Sequence, residues 1–187
     1  MEEKQKELLT DALEDSRKFY EQWIEQFGGW YHVQGKTIPE WRDHFRINLP
    51  SDIGTETCKS VDIKLISLFQ EAHGYKGKAE AALSMAKAGY ASKFRAGYAS
   101  LVRSFTTPGK KLPAKDTLAT LTEEKLGKEK DALAMGETEV TFWKEMLANL
   151  NTVRKIIENA TLNISVEAKA LNYQNMLDNI ERKENHK

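Results

Sequence analysis

The side chains with reactive potential are few and scattered. His32, His44, His73 and His186 form no H-x-x-x-H pair, and Cys58, the single cysteine, has no second thiol beside it. A metal site needs three or four such ligands at short, regular spacings, so no metal is expected. No histidine stands in a recognisable relation to Cys58 as the base of a nucleophilic pair. The G-x-x-x-x-G-K-[ST] loop, the G-x-G-x-x-G turn and the G-x-S-x-G elbow are all missing, and with them the usual marks of nucleotide or hydrolase chemistry. Glu137 and Glu139 lie two residues apart, so on a helix they diverge; they read as first-turn acids favoured by the helix dipole. The expectation is a binding protein with no catalytic residue and no cofactor.

Charge carries more information. The 28 basic and 28 acidic side chains cancel, but they are segregated. Between Lys76 and Lys115, nine bases face the single acid Glu80, a net of +8, whereas residues 1–26 hold eight acids and four bases. Any polyanion site must therefore be local. At ~100° per residue, Tyr90, Phe94, Tyr98, Leu101 and Phe105 share an arc of about 80°. Lys78, Lys93, Arg95 and Arg103 fall in the other half of the same wheel, with Lys87 the exception beside the aromatics. Bases and aromatics on one face would suit stacking on nucleobases. On opposite faces, the aromatics are expected to be buried in a core or subunit interface, and the bases to meet solvent or a phosphate chain. Lys78, Lys93, Arg95, Arg103, Lys110 and Lys111 are the candidate nucleic-acid contacts.

The elements that must position these residues are helical. Apolar positions from Leu8 to Phe27 recur near the 3.6 period, predicting a helix over 2–27 that Gly28 and Gly29 stop. From Trp30 to Gly54 the period is lost, with Gly35, Pro39, Pro50 and Gly54 as punctuation and Phe45 to Leu49 readable as an extended run. A long helix follows over about 56–105, with a break expected near Gly74 to Gly77 because each interior glycine costs ~1 kcal/mol. The echo Ala88-Gly89-Tyr90-Ala91-Ser92 and Ala96-Gly97-Tyr98-Ala99-Ser100 suggests that Gly89 and Gly97 let another helix come close. TTPGKKLPA, residues 106–114, is a connector. Thr120 and Glu123 have capping-box spacing. A periodic helix over 137–159 carries Val140, Trp143, Leu147, Leu150, Val153 and Ile157 on one side, and Asn163 or Ser165 caps a last helix to about Lys183.

The class is therefore all-α, divided as an acidic N-terminal helix with an irregular extension over 1–55 and a helical domain over 56–187. No stretch approaches the ~18 apolar residues of a membrane helix. The N-terminal residues lack the apolar core of a secretory signal. With a lone cysteine, the expected location is the cytoplasm.

At Lys93-Phe94-Arg95-Ala96-Gly97-Tyr98 the chain resembles the basic K-x-R-x-x-Y stretch of the recombination mediators of T4-like bacteriophages, the UvsY family. The order of features extends the likeness: a turn-rich connector, Lys130-Asp131-Ala132-Leu133, a Trp143-x-x-x-Leu147 helix and a final helix. The similarity spans roughly Lys59 to Leu171 and leaves the first 55 residues outside, as an N-terminal extension of a divergent relative. The resemblance implies a non-enzymatic protein of the host cytoplasm that binds single-stranded DNA and assembles into a homo-oligomer through C-terminal helices. It also implies that the protein helps load a RecA-like phage recombinase onto DNA coated by single-strand-binding protein. The family's DNA contacts carry over to Lys93 and Arg95 alone. Val140, Trp143, Leu147 and Leu150 are the expected subunit contacts, with an ordinary monomer core as the other reading. A phage structural or adaptor protein, whose oligomer binds proteins and not DNA, is the alternative; a small helical enzyme or nuclease inhibitor would need converging acids that the sequence does not reveal.

Overall fold

A computed structural model describes residues 2–47, 55–106 and 111–184. In chain order the elements are α1 (Glu2–Phe27), β1 (His32–Val33), β2 (Lys36–Thr37), α2 (Ile38–His44), α3 (Thr55–Phe105), α4 (Lys115–Glu124) and α5 (Gly127–Glu184). The protein is all-α, with one two-stranded hairpin among the described residues. No helix is long and apolar enough to cross a membrane, among the described residues. The chain forms two compact units. The first comprises the chain up to Ala72 together with the chain from Met146 on, and the second is His73–Glu145.

In the first unit α1 ends where its apolar period ends. Gly28 adopts φ +83° and its N–H reaches the Ile24 carbonyl at 2.8 Å, a left-handed cap that costs glycine little. A Cβ there would also lie 2.5 Å from the Trp30 indole nitrogen, so two constraints coincide. The aperiodic stretch that follows is ordered by local chemistry. Gln34 and Gly35, with φ of +46° and +85°, make the two-residue turn that pairs Val33 with Lys36 in an antiparallel hairpin. Thr37 then caps α2: its hydroxyl accepts from the Glu40 N–H at 3.4 Å, and the Glu40 carboxylate accepts from the Thr37 N–H at 2.6 Å. This reciprocal pair holds the Glu40 carboxyl below its ordinary range, the backbone bond from Thr37 being the main cause. Buried Trp41 donates to the Val33 carbonyl at 2.8 Å, fastening α2 to the hairpin. Phe45, expected at the start of an extended run, instead closes α2, donating its N–H to the Trp41 carbonyl at 2.9 Å; residues 48–49 lie outside the described residues.

The core of this unit joins Tyr20 and Trp23 of α1, Trp41 and Phe45, Val61, Leu65 and Leu68 of α3, and Met146, Leu150, Val153 and Ile157 of α5. Two polar ties set the α1–α5 register: the Tyr20 hydroxyl donates to the Met146 sulfur at 3.3 Å, and Asn149 Nδ2 donates to Ser16 Oγ at 3.0 Å. As the first numbers fall the second rise, so these helices run antiparallel. Arg154 meets Asp62 at 3.6 Å across α3 and α5.

The second unit pairs the later part of α3 with α4 and the first part of α5. Tyr75 stacks on buried Trp143 with ring centroids 4.8 Å apart, and Phe142 meets Trp143 edge to face at 5.1 Å. Leu83 lies against Gly136, where an added Cβ would sit 3.2 Å from its Cδ1. Gly97 faces the Thr122 methyl at the same 3.2 Å. Thr122 is buried, its hydroxyl donating to the Leu118 carbonyl at 2.7 Å. The echo thus divides: Gly97 admits α4, while Gly89 opens on space.

Three expectations fail for reasons of compensation. No break occurs at Gly74 to Gly77, because α3 runs unbroken with buried Leu65, Leu68, Ala72 and Ala79 holding it against neighbours; packing outweighs a propensity cost of ~1 kcal/mol per glycine. The two helices expected over 137–159 and from 163 on are one, since no Gly or Pro follows Gly136 to stop the ladder. Thr120 caps nothing: α4 starts at Lys115, and the Thr120 hydroxyl bonds back to the Asp116 carbonyl at 3.0 Å.

Candidate functional site

The +8 segment places its charge on α3 in two distinct settings. Lys93 and Lys87 flank the packed side and are engaged by α5: Lys93 Nζ meets Glu129 Oε1 at 2.6 Å, and Lys87 Nζ meets Glu137 Oε1 at 3.0 Å. These pairs, with the Leu83–Gly136 contact, describe an antiparallel register of α3 on α5 within this unit. The hydrogen bond from Lys93 is the leading reason that the Glu129 carboxyl is held below its ordinary range. Lys130, in turn, is raised above the usual lysine range, chiefly by its bond to Glu123 at 2.5 Å.

Arg95 and Arg103 point elsewhere. Both are exposed, and neither has a carboxylate partner among the described residues. Eight residues separate them, or about 12 Å along the axis, with directions ~80° apart. Lys78 shares their side of the helix, exposed, its Nζ 5.2 Å from the Tyr75 ring. Lys111 is exposed just before α4, and Lys110 lies outside the described residues. The structure thus brings Lys78, Arg95 and Arg103 onto one face of α3 and separates Lys93 from them by giving it an acidic partner.

The aromatic stripe lies on the packed side, as the wheel predicts. Tyr90, Phe94 and Tyr98 follow one another with ring centroids 6.2 Å apart at both steps, each half-buried. They share the arc of Leu83 and Gly97, which touch α5 and α4. The three rings stack along one side of α3, on the other side from Arg95 and Arg103.

Of the residues expected at a subunit contact, Val140, Trp143 and Leu150 are buried within the single chain and Leu147 is half-buried. Val140, Trp143 and Leu150 therefore pack within the chain itself. The apolar stripe that α5 leaves uncovered is further on: Leu162, Val166, Tyr173 and Met176 are 63–69 % exposed. At ~100° per residue they fall within an arc of about 80°, roughly half a turn from Val153 and Ile157. Their 4-7-3 spacing is that of a coiled-coil seam interrupted by Lys169. That spacing was the available signal, obscured because Lys169 breaks the apolar series.

No group of three or more His, Cys, Asp and Glu is arranged to hold a metal ion, among the described residues. Comparison with protein-family models, curated proteins and solved structures finds no match for this chain.

Proposed function

We propose that the protein is a non-enzymatic, self-associating binder of single-stranded DNA that acts as a recombination mediator, delivering a RecA-like recombinase to strands covered by single-strand-binding protein. The observation that carries this reading is the cationic face of α3, where Arg95, Arg103 and Lys78 turn away from the packed aromatics and the two arginines lack acidic partners among the described residues. Guanidiniums spaced along a helix suit a phosphate chain, and they bind it without regard to base. The K-x-R resemblance supplies the recombination context. Mediation requires only that one partner-bound form of the strand be favoured over another.

A few phosphate contacts per chain bind weakly, so several copies acting together are part of the proposal. The exposed stripe of Leu162, Val166, Tyr173 and Met176 supports association between copies, because four neighbouring side chains of this size in water favour being covered. The test is fluorescence anisotropy of labelled single- and double-stranded oligonucleotides over a salt series. Preference for single strands and affinity falling steeply with salt are expected; salt-insensitive binding, or none, overturns the proposal. One observation favours an adaptor that binds protein instead: Glu129 and Glu137 show that acids already dock on these lysines. Light scattering with and without oligonucleotide separates the two, since the adaptor's assembly is indifferent to DNA.

A further inference from the structure

The first unit contains a cleft unrelated to the basic face of α3. It opens between α1 and the end of α2 and encloses about 440 Å³, within the range of small-ligand sites. Its floor is apolar: Tyr20, Phe45 and Ile47 line it, and all three are buried. Burial pushes the Tyr20 hydroxyl well above its ordinary value, with Arg42 acting weakly in the other direction, so the floor stays uncharged across ordinary pH. Three guanidiniums rise around it, from Arg17, Arg42 and Arg46.

We infer that this cleft binds an organic anion: a phosphate or carboxylate head carried on an aromatic or aliphatic body. Each half of that ligand has a counterpart. The body replaces water over the floor, and the head meets guanidiniums that offer paired N–H donors to planar or tetrahedral oxyanions. Two acids also line the cleft, Glu14 and Asp43. Asp43 accepts from Arg42 Nε at 3.4 Å, and Arg17 leans on Glu21 at 3.7 Å. Both carboxylates are largely exposed, so water can hydrate them when an incoming anion takes over their arginines. Arg46 requires no such exchange: its side chain has no carboxylate partner among the described residues. Its backbone is fixed, with the N–H directed to the Asp43 carbonyl at 3.4 Å and the carbonyl accepting from Lys64 Nζ at 3.1 Å. Arg46 is therefore a preset anchor, and Arg42 lines the cleft from the same segment.

Titration calorimetry of the full chain tests this with four probes: 1-naphthyl phosphate, an acetylated dipeptide of Asp followed by Phe, 1-naphthol and inorganic phosphate. One saturable site per chain is expected for the first or second probe, and whichever binds more tightly identifies the head group as phosphate or carboxylate. Neutral 1-naphthol and bare phosphate should each bind at least about tenfold more weakly, because each satisfies half of the site. Arg46→Glu and the Arg42→Gln, Arg46→Gln double variant should each weaken the tight probe by about tenfold or more. Arg46 is a surface side chain, so its variant keeps the fold, which a thermal melt verifies. The inference is overturned if neither organic anion saturates, if the arginine variants bind unchanged, or if 1-naphthol binds as well as 1-naphthyl phosphate. Failure here leaves the oligonucleotide result untouched, since none of these small probes is a phosphate chain of the kind proposed to lie along α3.

Discussion

Replacing Glu129 by glutamine should make the protein bind single-stranded DNA more tightly. Lys93 lies at the position matching the K-x-R stretch, yet its ammonium is 2.6 Å from the Glu129 carboxylate. A phosphate must displace that partner before it gains the lysine. Glu129→Gln retains the shape and removes the competitor, freeing one cation per chain. For single strands each neutralised phosphate contributes a log–log salt slope of about −0.7. One added contact therefore steepens the slope by about 0.7, and it raises affinity about fivefold at ~0.1 M salt relative to ~1 M, where the counterion term vanishes. Anisotropy at four or five salt concentrations measures both quantities. Adding Lys93→Ala to Glu129→Gln should return slope and affinity to or below the parent values. If Glu129→Gln leaves slope and affinity unchanged while the parent protein binds DNA, Lys93 is not a strand contact and the carry-over from the K-x-R motif fails.

The same anisotropy series should show that Arg95→Ala with Arg103→Ala flattens the slope by about 1.4 and costs about 25-fold at ~0.1 M salt, the same for every base sequence. Leu162→Ser with Tyr173→Ser should lower the sedimentation coefficient of the associated form without lowering the melting temperature of the chain, whereas Trp143→Ala should cost about 3–5 kcal/mol in urea unfolding because it empties a filled core. Gly89→Ala, which meets open space, should stabilise α3 by about 0.5–1 kcal/mol, and Gly97→Leu should destabilise it by pressing on buried Thr122. Because Glu129 is held below its ordinary pKa, its pair with Lys93 supports the fold above the usual carboxylate range and is lost as pH falls through the lowered value. The melting temperatures of the parent and Glu129→Gln should therefore differ at neutral pH and converge in acid.

How much of this was legible depended on how local the signal was. The helix up to Phe27, its stop at Gly28 and the opposition of bases to aromatics on α3 follow from periodicity, a property of one segment at a time. The Thr37-Ile38-Pro39-Glu40 run carries a capping box with an early proline, but it is only one turn deep and lies between glycines, where no period draws attention to it. The extra breaks expected in α3 and α5 came from weighing glycine, asparagine and serine propensity without the tertiary contacts that override it. The Lys93–Glu129 pair joins residues 36 apart in sequence and depends on the antiparallel register of two helices, which charge counting cannot supply. The same gap concealed the three arginines of the cleft: they come from α1, α2 and the residue after its cap, and no spacing rule links them.

The bond from Tyr20 to Met146 has a practical corollary. A thioether is a weak acceptor, so this joint between α1 and α5 relies on being dry, and Met146 is fully buried. Peroxide reaching it would attach an oxygen to the sulfur, making a bulkier and strongly polar group where nothing can solvate it. Ageing of a stored sample should accordingly begin at this seam, as loosening of the acidic helix from its support before the rest of the molecule softens, and a reductase specific for methionine sulfoxide should reverse it.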